Sequence, residues 1–160
     1  MVQHNAEVRL NPSDETIQVG VTRIRFLVTG AESNGSVAML ELTIPAGARF
    51  PALPHSHEAY EETLYGLEGI STWTIDGVPI ELAPGQVLCI PRGAVHGFSN
   101  HGAVEARTLT IVSPAEIGPE FFREMAAVID AAAGSPPNRA KLAEIMHRYG
   151  LTPAPPPSAS

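Results

Sequence analysis

The chain has 160 residues, 44% of them apolar, which is enough for one domain with a core of its own. Its formal net charge is −7, Lys141 is its only lysine and the basic residues form no cluster, so nothing attracts a phosphate backbone and no nucleic-acid partner is expected. Cys89 is the only cysteine, the N-terminal stretch lacks a basic region followed by an apolar run, and no apolar run approaches the ~18 residues of a spanning helix; the expectation is a cytoplasmic protein with no disulfide, leader or membrane.

Glycine and proline punctuate residues 20 to 113, and short alternating runs lie between the breaks. Val21–Gly30 and Val37–Gly47 read as strands, and Glu62–Leu82 reads as strands around tight turns. The Asp76–Gly77 pair predicts a two-residue hairpin turn, which needs positive φ. QVLCIP and EARTLTIVSP supply two more strands. Many short strands at regular spacing, with no helix between them, point to an all-β sandwich or barrel.

The period changes after Ser113. Phe121, Phe122, Met125, Val128, Ile129 and Ala132 recur at helical spacing, Ser113 with Glu116 fits a capping box, Pro119 suits the first position of the main helix, and Gly134 suits its end. A second helix fits NRAKLAEIMHRYG, with Leu142, Ile145, Met146 and Tyr149 on one face. The helical pair is too small for a domain and is expected to pack on the β body or on a partner subunit. The proline-rich end has too little to bury to order itself. The division is therefore a β body with an N-terminal arm over 1–113, a helical extension over 114–150 and a disordered tail over 151–160.

The stretch PHSHEAYEE, Pro54–Glu62, places His55 and His57 two apart. On an extended segment both imidazoles share a face and can meet one ion, with a nearby carboxylate as a third ligand. An H-x-H on its own also fits a solvated polar turn. Further on, Gly85, Pro91, Gly93, His96 and Asn100 stand at the spacing G-x5-P-x-G-x2-H-x3-N, and the first segment reads H-x-H-x4-E-x6-G from His55 to Gly69. Together these resemble the two signature motifs of the cupin superfamily, over residues 20 to 113. Gly47 is followed by seven residues before His55, where the family usually has five.

The resemblance implies a cupin fold: an all-β, double-stranded β-helix or jelly-roll-like barrel, here with a short C-terminal helical extension. It also implies that His55, His57, Glu62 and His96 bind one divalent transition metal ion per chain. Three imidazoles and a carboxylate suit Fe, Mn, Ni, Cu or Zn. Glu61 rivals Glu62; motif register favours Glu62, and strand parity sends Glu61 toward solvent. Glu58 reads as a rim residue and Asn100 as a turn hydrogen-bonder. His4, His101 and His147 have no place in the set. Parity places Leu64, Gly66 and Phe98 inward, and Trp73, Tyr60, Met39 and Phe50 are candidates to line the mouth. Cys89 reads as a small buried apolar residue, and Arg92 as a solvated cation.

Three functional readings follow. The leading one is a metal-dependent dioxygenase acting on a small organic substrate in the barrel, with Glu62 serving as ligand and catalytic base, as the resemblance implies for quercetinase-like proteins. The alternatives are a redox-neutral isomerase, lyase or cyclase using the same ligands, and a non-catalytic small-molecule binder. No basic helix accompanies the β body, which argues against a DNA-binding regulator. Relatives commonly pair barrels, so a homodimer is expected.

Overall fold

The computed structural model describes residues 8–49 and 53–155. His4 and Phe50 lie outside the described residues. The chain opens with strands β1 (Thr16–Val19), β2 (Thr22–Val28) and β3 (Ala38–Ile44), followed by the short β4 (His55–His57) and the longer β5 (Glu61–Glu68). A hairpin of β6 (Ser71–Ile75) and β7 (Val78–Leu82) comes next, then β8 (Val87–Ile90), β9 (His96–Ser99) and β10 (Ala106–Ser113). Helices α1 (Pro119–Asp130) and α2 (Arg139–Arg148) precede a last strand, β11 (Leu151–Pro153).

Alternation drives the strands to two layers. In β2, Thr22, Ile24 and Phe26 are buried while Arg23 is exposed, and in β10, Ala106, Thr108, Thr110 and Val112 point inward. One antiparallel sheet runs β1-β2-β3-β10-β5-β8 and the other β11-β4-β9-β6-β7, with the core between their inner faces. This is the jelly-roll class that the sequence predicts. The barrel is open: the two sheets are hydrogen-bonded separately among the described strands.

Two local features hold the sheets in register. The β6–β7 turn has Asp76 at φ 48° and Gly77 at φ 82°, the left-handed pair that a tight hairpin requires. At Gly66 on β5 a Cβ would sit 2.1 Å from the Ala83 carbonyl oxygen, so only glycine lets the β7–β8 connection cross there. Gly66 is therefore a point of close approach between backbones.

Both helices pack on the β body, as expected. The Phe122 ring lies 5.8 Å from that of Phe26 on β2, and Arg123 pairs with Glu15 just ahead of β1. Leu142, Ile145 and Met146 bury the inner face of α2, and the Asn138 side chain caps its first turn by accepting from the Lys141 amide at 3.1 Å. Tyr149 donates to Glu124 on α1 at 2.7 Å, and Arg148 pairs with the same carboxylate.

Several expectations need correction. Ser113 does not cap a helix: it is the last residue of β10, paired with Glu61, and its hydroxyl donates to the Ser36 carbonyl at 3.0 Å. The α1 N-cap is Gly118, without a side-chain bond, and the helix stops at Asp130 rather than at Gly134. The tail is ordered at its start, because Leu151–Pro153 pairs with His55–His57 and Leu151 is buried. Cys89 is exposed on β8, an edge strand, rather than buried. Met39 faces away from the interior, since Leu40 and Leu42 take the inward positions of β3.

Candidate metal centre

Strands β4 and β9 lie side by side in one sheet, with His55 directly opposite His96. Parity on β4 turns His57 to the same face, and Glu62 reaches across from β5 in the facing sheet. Each imidazole is oriented by the main chain. The Nδ1 atoms of His55, His57 and His96 lie 3.1, 2.8 and 3.0 Å from the carbonyl oxygens of Leu53, Tyr60 and Ala94. A carbonyl only accepts, so Nδ1 carries the proton and the neutral ring presents a bare lone pair at Nε2.

Those lone pairs converge. Oε2 of Glu62 is 3.4 Å from His57 Nε2 and 3.2 Å from His96 Nε2, and one donor atom from each residue lies within 4.8 Å of the others. Both Nε2 atoms are buried and lack a hydrogen-bond partner among the described residues. Two lone pairs facing a carboxylate at this range suit a cation between them. Donors at ~2.0–2.2 Å from one ion sit roughly 3.0–3.5 Å apart, which the two separations from Glu62 match. The residues present therefore fit a first-row divalent metal through two imidazoles and a carboxylate.

The electrostatics agree. Burial alone would raise the Glu62 carboxyl, but the adjacent His57 and His96 imidazoles outweigh it and hold the group well below the usual carboxylate range. Burial opposes a charge on His96, yet Glu62 raises its proton affinity above that of an ordinary histidine. The spot thus favours positive charge, and a proton and a metal ion would compete for it.

His55 adjoins this group, and its ring is as near to His96 as is that of His57, at 4.8 Å. Its ring centroid is 4.6 Å from that of His96 and 6.2 Å from that of His57, and it shares the cavity wall with Glu62 and His96. Burial first, then repulsion from His96, pushes it down to about 4, so it presents a neutral ring. Glu61 points to solvent and forms a two-point contact with Arg92, at 2.8 and 3.1 Å. That removes both from the site: Glu61 as a ligand and Arg92 as a free cation. His101 bonds Ser99 at 2.9 Å and His147 is exposed on α2. Asn100 is buried and ties the Ile44 and Val104 carbonyls to the Gly102 amide, a structural role.

Tyr60 and Trp73 line the cavity as expected, but two contacts that support the site are not visible in the sequence. Tyr60 stacks on His57 with ring centroids 3.8 Å apart and an 18° tilt, and burial, aided by the Glu62 charge, keeps its phenol protonated. Asp76 accepts from the Val95 amide at 2.9 Å while its own amide donates to the Val95 carbonyl at 2.7 Å, clamping the residue before His96. A hairpin signal locates Asp76 but not its partner on another strand.

The cluster opens into a cavity of about 590 Å³ between the sheets, with Leu40, Leu42, Trp73 and Phe98 on its walls. Phe98 lies against Trp73, centroids 4.9 Å apart, on the inward face as parity predicts. Leu64 also points inward and is fully buried in the core.

Residues 40–112 match the cupin domain family. The chain is 34% identical over 74 residues to a quercetin 2,3-dioxygenase of Bacillus subtilis, which covers 46% of this chain and 21% of that protein. It is 40% identical over 78 residues to a dimethylsulfoniopropionate lyase of Ruegeria pomeroyi, covering 49% of this chain and 50% of that one. The matched segment thus spans half or less of the length of these relatives. The fold resembles that of a predicted oxalate decarboxylase from Thermotoga maritima, with a TM-score of 0.56 and 23% identity, over 68% of this chain and 98% of that one. Two facing antiparallel sheets, a histidine–glutamate cluster between them and the match over residues 40–112 together make a cupin-like fold whose central segment is similar to the cupin domain family.

Proposed function

We propose that the protein is a mononuclear metal-dependent enzyme that acts on a small organic molecule in the cavity, and that its reaction is an O2-dependent oxidation. The observation that carries the reading is the convergence of two Nε2 lone pairs and the Glu62 carboxylate at 3.2 and 3.4 Å, with every Nδ1 pinned by a main-chain carbonyl. His57, Glu62 and His96 would hold the ion, with His55 adjacent as a fourth donor. When bound, such an ion supplies Lewis-acid polarisation and, for a redox-active metal, access to oxygen chemistry.

The chain's own residues do the rest. The histidines are held in one tautomer and cannot turn away. Glu62 is anionic and lines the cavity, so its carboxylate can accept a hydrogen bond from a substrate hydroxyl and orient it. Leucine and aromatic walls limit water around the reacting group. The relatives' names support the oxidation but also cover a lyase, and a redox-neutral reaction would use the same donors.

Elemental analysis of untagged protein is expected to find about one Fe, Mn, Ni or Cu per chain, lost in His96→Ala. Quercetin and simple catechols, offered to metal-loaded protein in an oxygen electrode, are expected to give O2 uptake. Product formed equally fast under argon would replace the oxidation with redox-neutral chemistry. No metal, even after anaerobic Fe(II) loading, would remove the enzyme reading altogether.

A further inference from the structure

Part of the cavity is built by residues outside the matched cupin segment. Ile117, Phe121 and Phe122, from the approach to α1 and its first turn, and Leu151 of β11 all line the space that Glu62 and His96 face. The two phenylalanines are braced from behind. The Phe121 ring meets Phe122 edge-on at 4.9 Å and Tyr149 at 5.4 Å, and Phe122 rests on Phe26. The extension thus closes one side of the cavity with a fixed aromatic surface.

The lining also restricts what can enter. Leu40, Leu42, Trp73 and Phe98 continue the apolar surface from both sheets. The one guanidinium of the lining belongs to Arg49, an exposed residue whose backbone pairs with that of Ser99. A phosphate or a sugar acid needs cationic or multiple hydrogen-bonding side chains in the interior. Thr74, Ser99, His101 and Thr110 add polar groups to the lining, but the wall that Ile117, Phe121, Phe122 and Leu151 form offers rings and branched aliphatics, which suit a flat apolar body.

We propose that α1 and β11 form the recognition wall of the cavity, and that its ligand is a small molecule with a flat, mostly apolar body lying against Phe121 and Phe122 and an oxygen-bearing end toward Glu62. The orientation rests on the metal-centre reading above; the wall itself does not.

The test uses 2-naphthol, a flat ring with one hydroxyl, on chelator-treated protein, read by titration calorimetry, with glucose 6-phosphate as the contrasting probe. Wild type is expected to bind 2-naphthol and not the sugar phosphate. Phe122→Leu removes ring contact and is expected to weaken 2-naphthol about fivefold. Ile117→Phe fills the cavity and is expected to weaken it by more. Both variants should unfold in a single thermal transition and take up metal as wild type does. Unchanged 2-naphthol binding in the two variants, or preference for glucose 6-phosphate, overturns the proposal. A normal 2-naphthol response in protein that takes up no metal upholds the wall while sinking the metal reading. Full metal uptake with no 2-naphthol binding does the reverse.

Discussion

Glu61 and Glu62 are neighbours with opposite fates, because consecutive strand residues face opposite sides of a sheet. Glu61 meets Arg92 in solvent, while Glu62 meets two imidazoles in the interior. Glu62→Gln should lower metal affinity by more than ~100-fold, since it removes the only anionic donor. Glu61→Gln should leave it unchanged; a metal titration against a chromophoric chelator compares the two. The histidines add a pH effect in the metal-free protein. His55 titrates near 4 when folded and near 6.5 when unfolded, so the unfolded chain binds the extra proton between those values. Stability from this residue is therefore present above pH 6.5 and lost as pH falls toward 4, by up to ~3 kcal/mol. Urea unfolding of chelated protein at pH 7 and 4.5 should show the loss, and His55→Gln should reduce it. The spacing and parity of the histidines and of Glu62 made the candidate ligands readable from the chain. The carbonyls of Leu53, Tyr60 and Ala94 were not readable, because nothing in a residue's type says which main-chain oxygen its ring will meet.

At the scale of elements, β11 shows how a site can depend on a segment with almost no local signal. Three residues ending in proline carry no alternation to detect. They order because β4 would otherwise expose an unpaired edge carrying His55 and His57, and Leu151 buries its side chain at that edge. The Ala154 amide extends the contact by donating to the Pro54 carbonyl at 2.7 Å. Truncation after Gly150 should therefore weaken metal binding as well as stability, whereas Leu151→Ala should cost about 2–4 kcal/mol. Chemical denaturation and metal titration of the two variants check this; a truncated chain with wild-type metal affinity would show that β4 stands without its neighbour. Gly66→Ala is expected to prevent normal folding, since its Cβ would overlap the Ala83 carbonyl. Most strands and both helices were visible in period and punctuation, while β1 and β11 were not. The capping role assigned to Ser113 was mistaken because β10 runs on to that residue and holds it against β5.

For the whole molecule, the sheets and the helical extension share one core, in which Phe26, Phe122, Leu142 and Met146 belong to the same buried cluster. Heating should give a single transition. Metal at 100 times its dissociation constant should add about 2.7 kcal/mol, which raises the midpoint by roughly 5–10 °C for a chain of this size, and His96→Ala should abolish the rise. Scanning calorimetry with and without metal checks both. Among the described residues no helix is long and apolar enough to cross a membrane. By itself the sequence determined the two histidine-bearing motifs, most of the alternating strands and the helical change of period, because each is a local pattern of residue type and spacing. The tertiary structure alone decided that His57, Glu62 and His96 converge with His55 adjoining them, that α1 and β11 complete the cavity, and that Asp76 and Tyr60 brace the centre. Those contacts join residues distant in the chain, and only the packing of one sheet and helix against another brings them within reach.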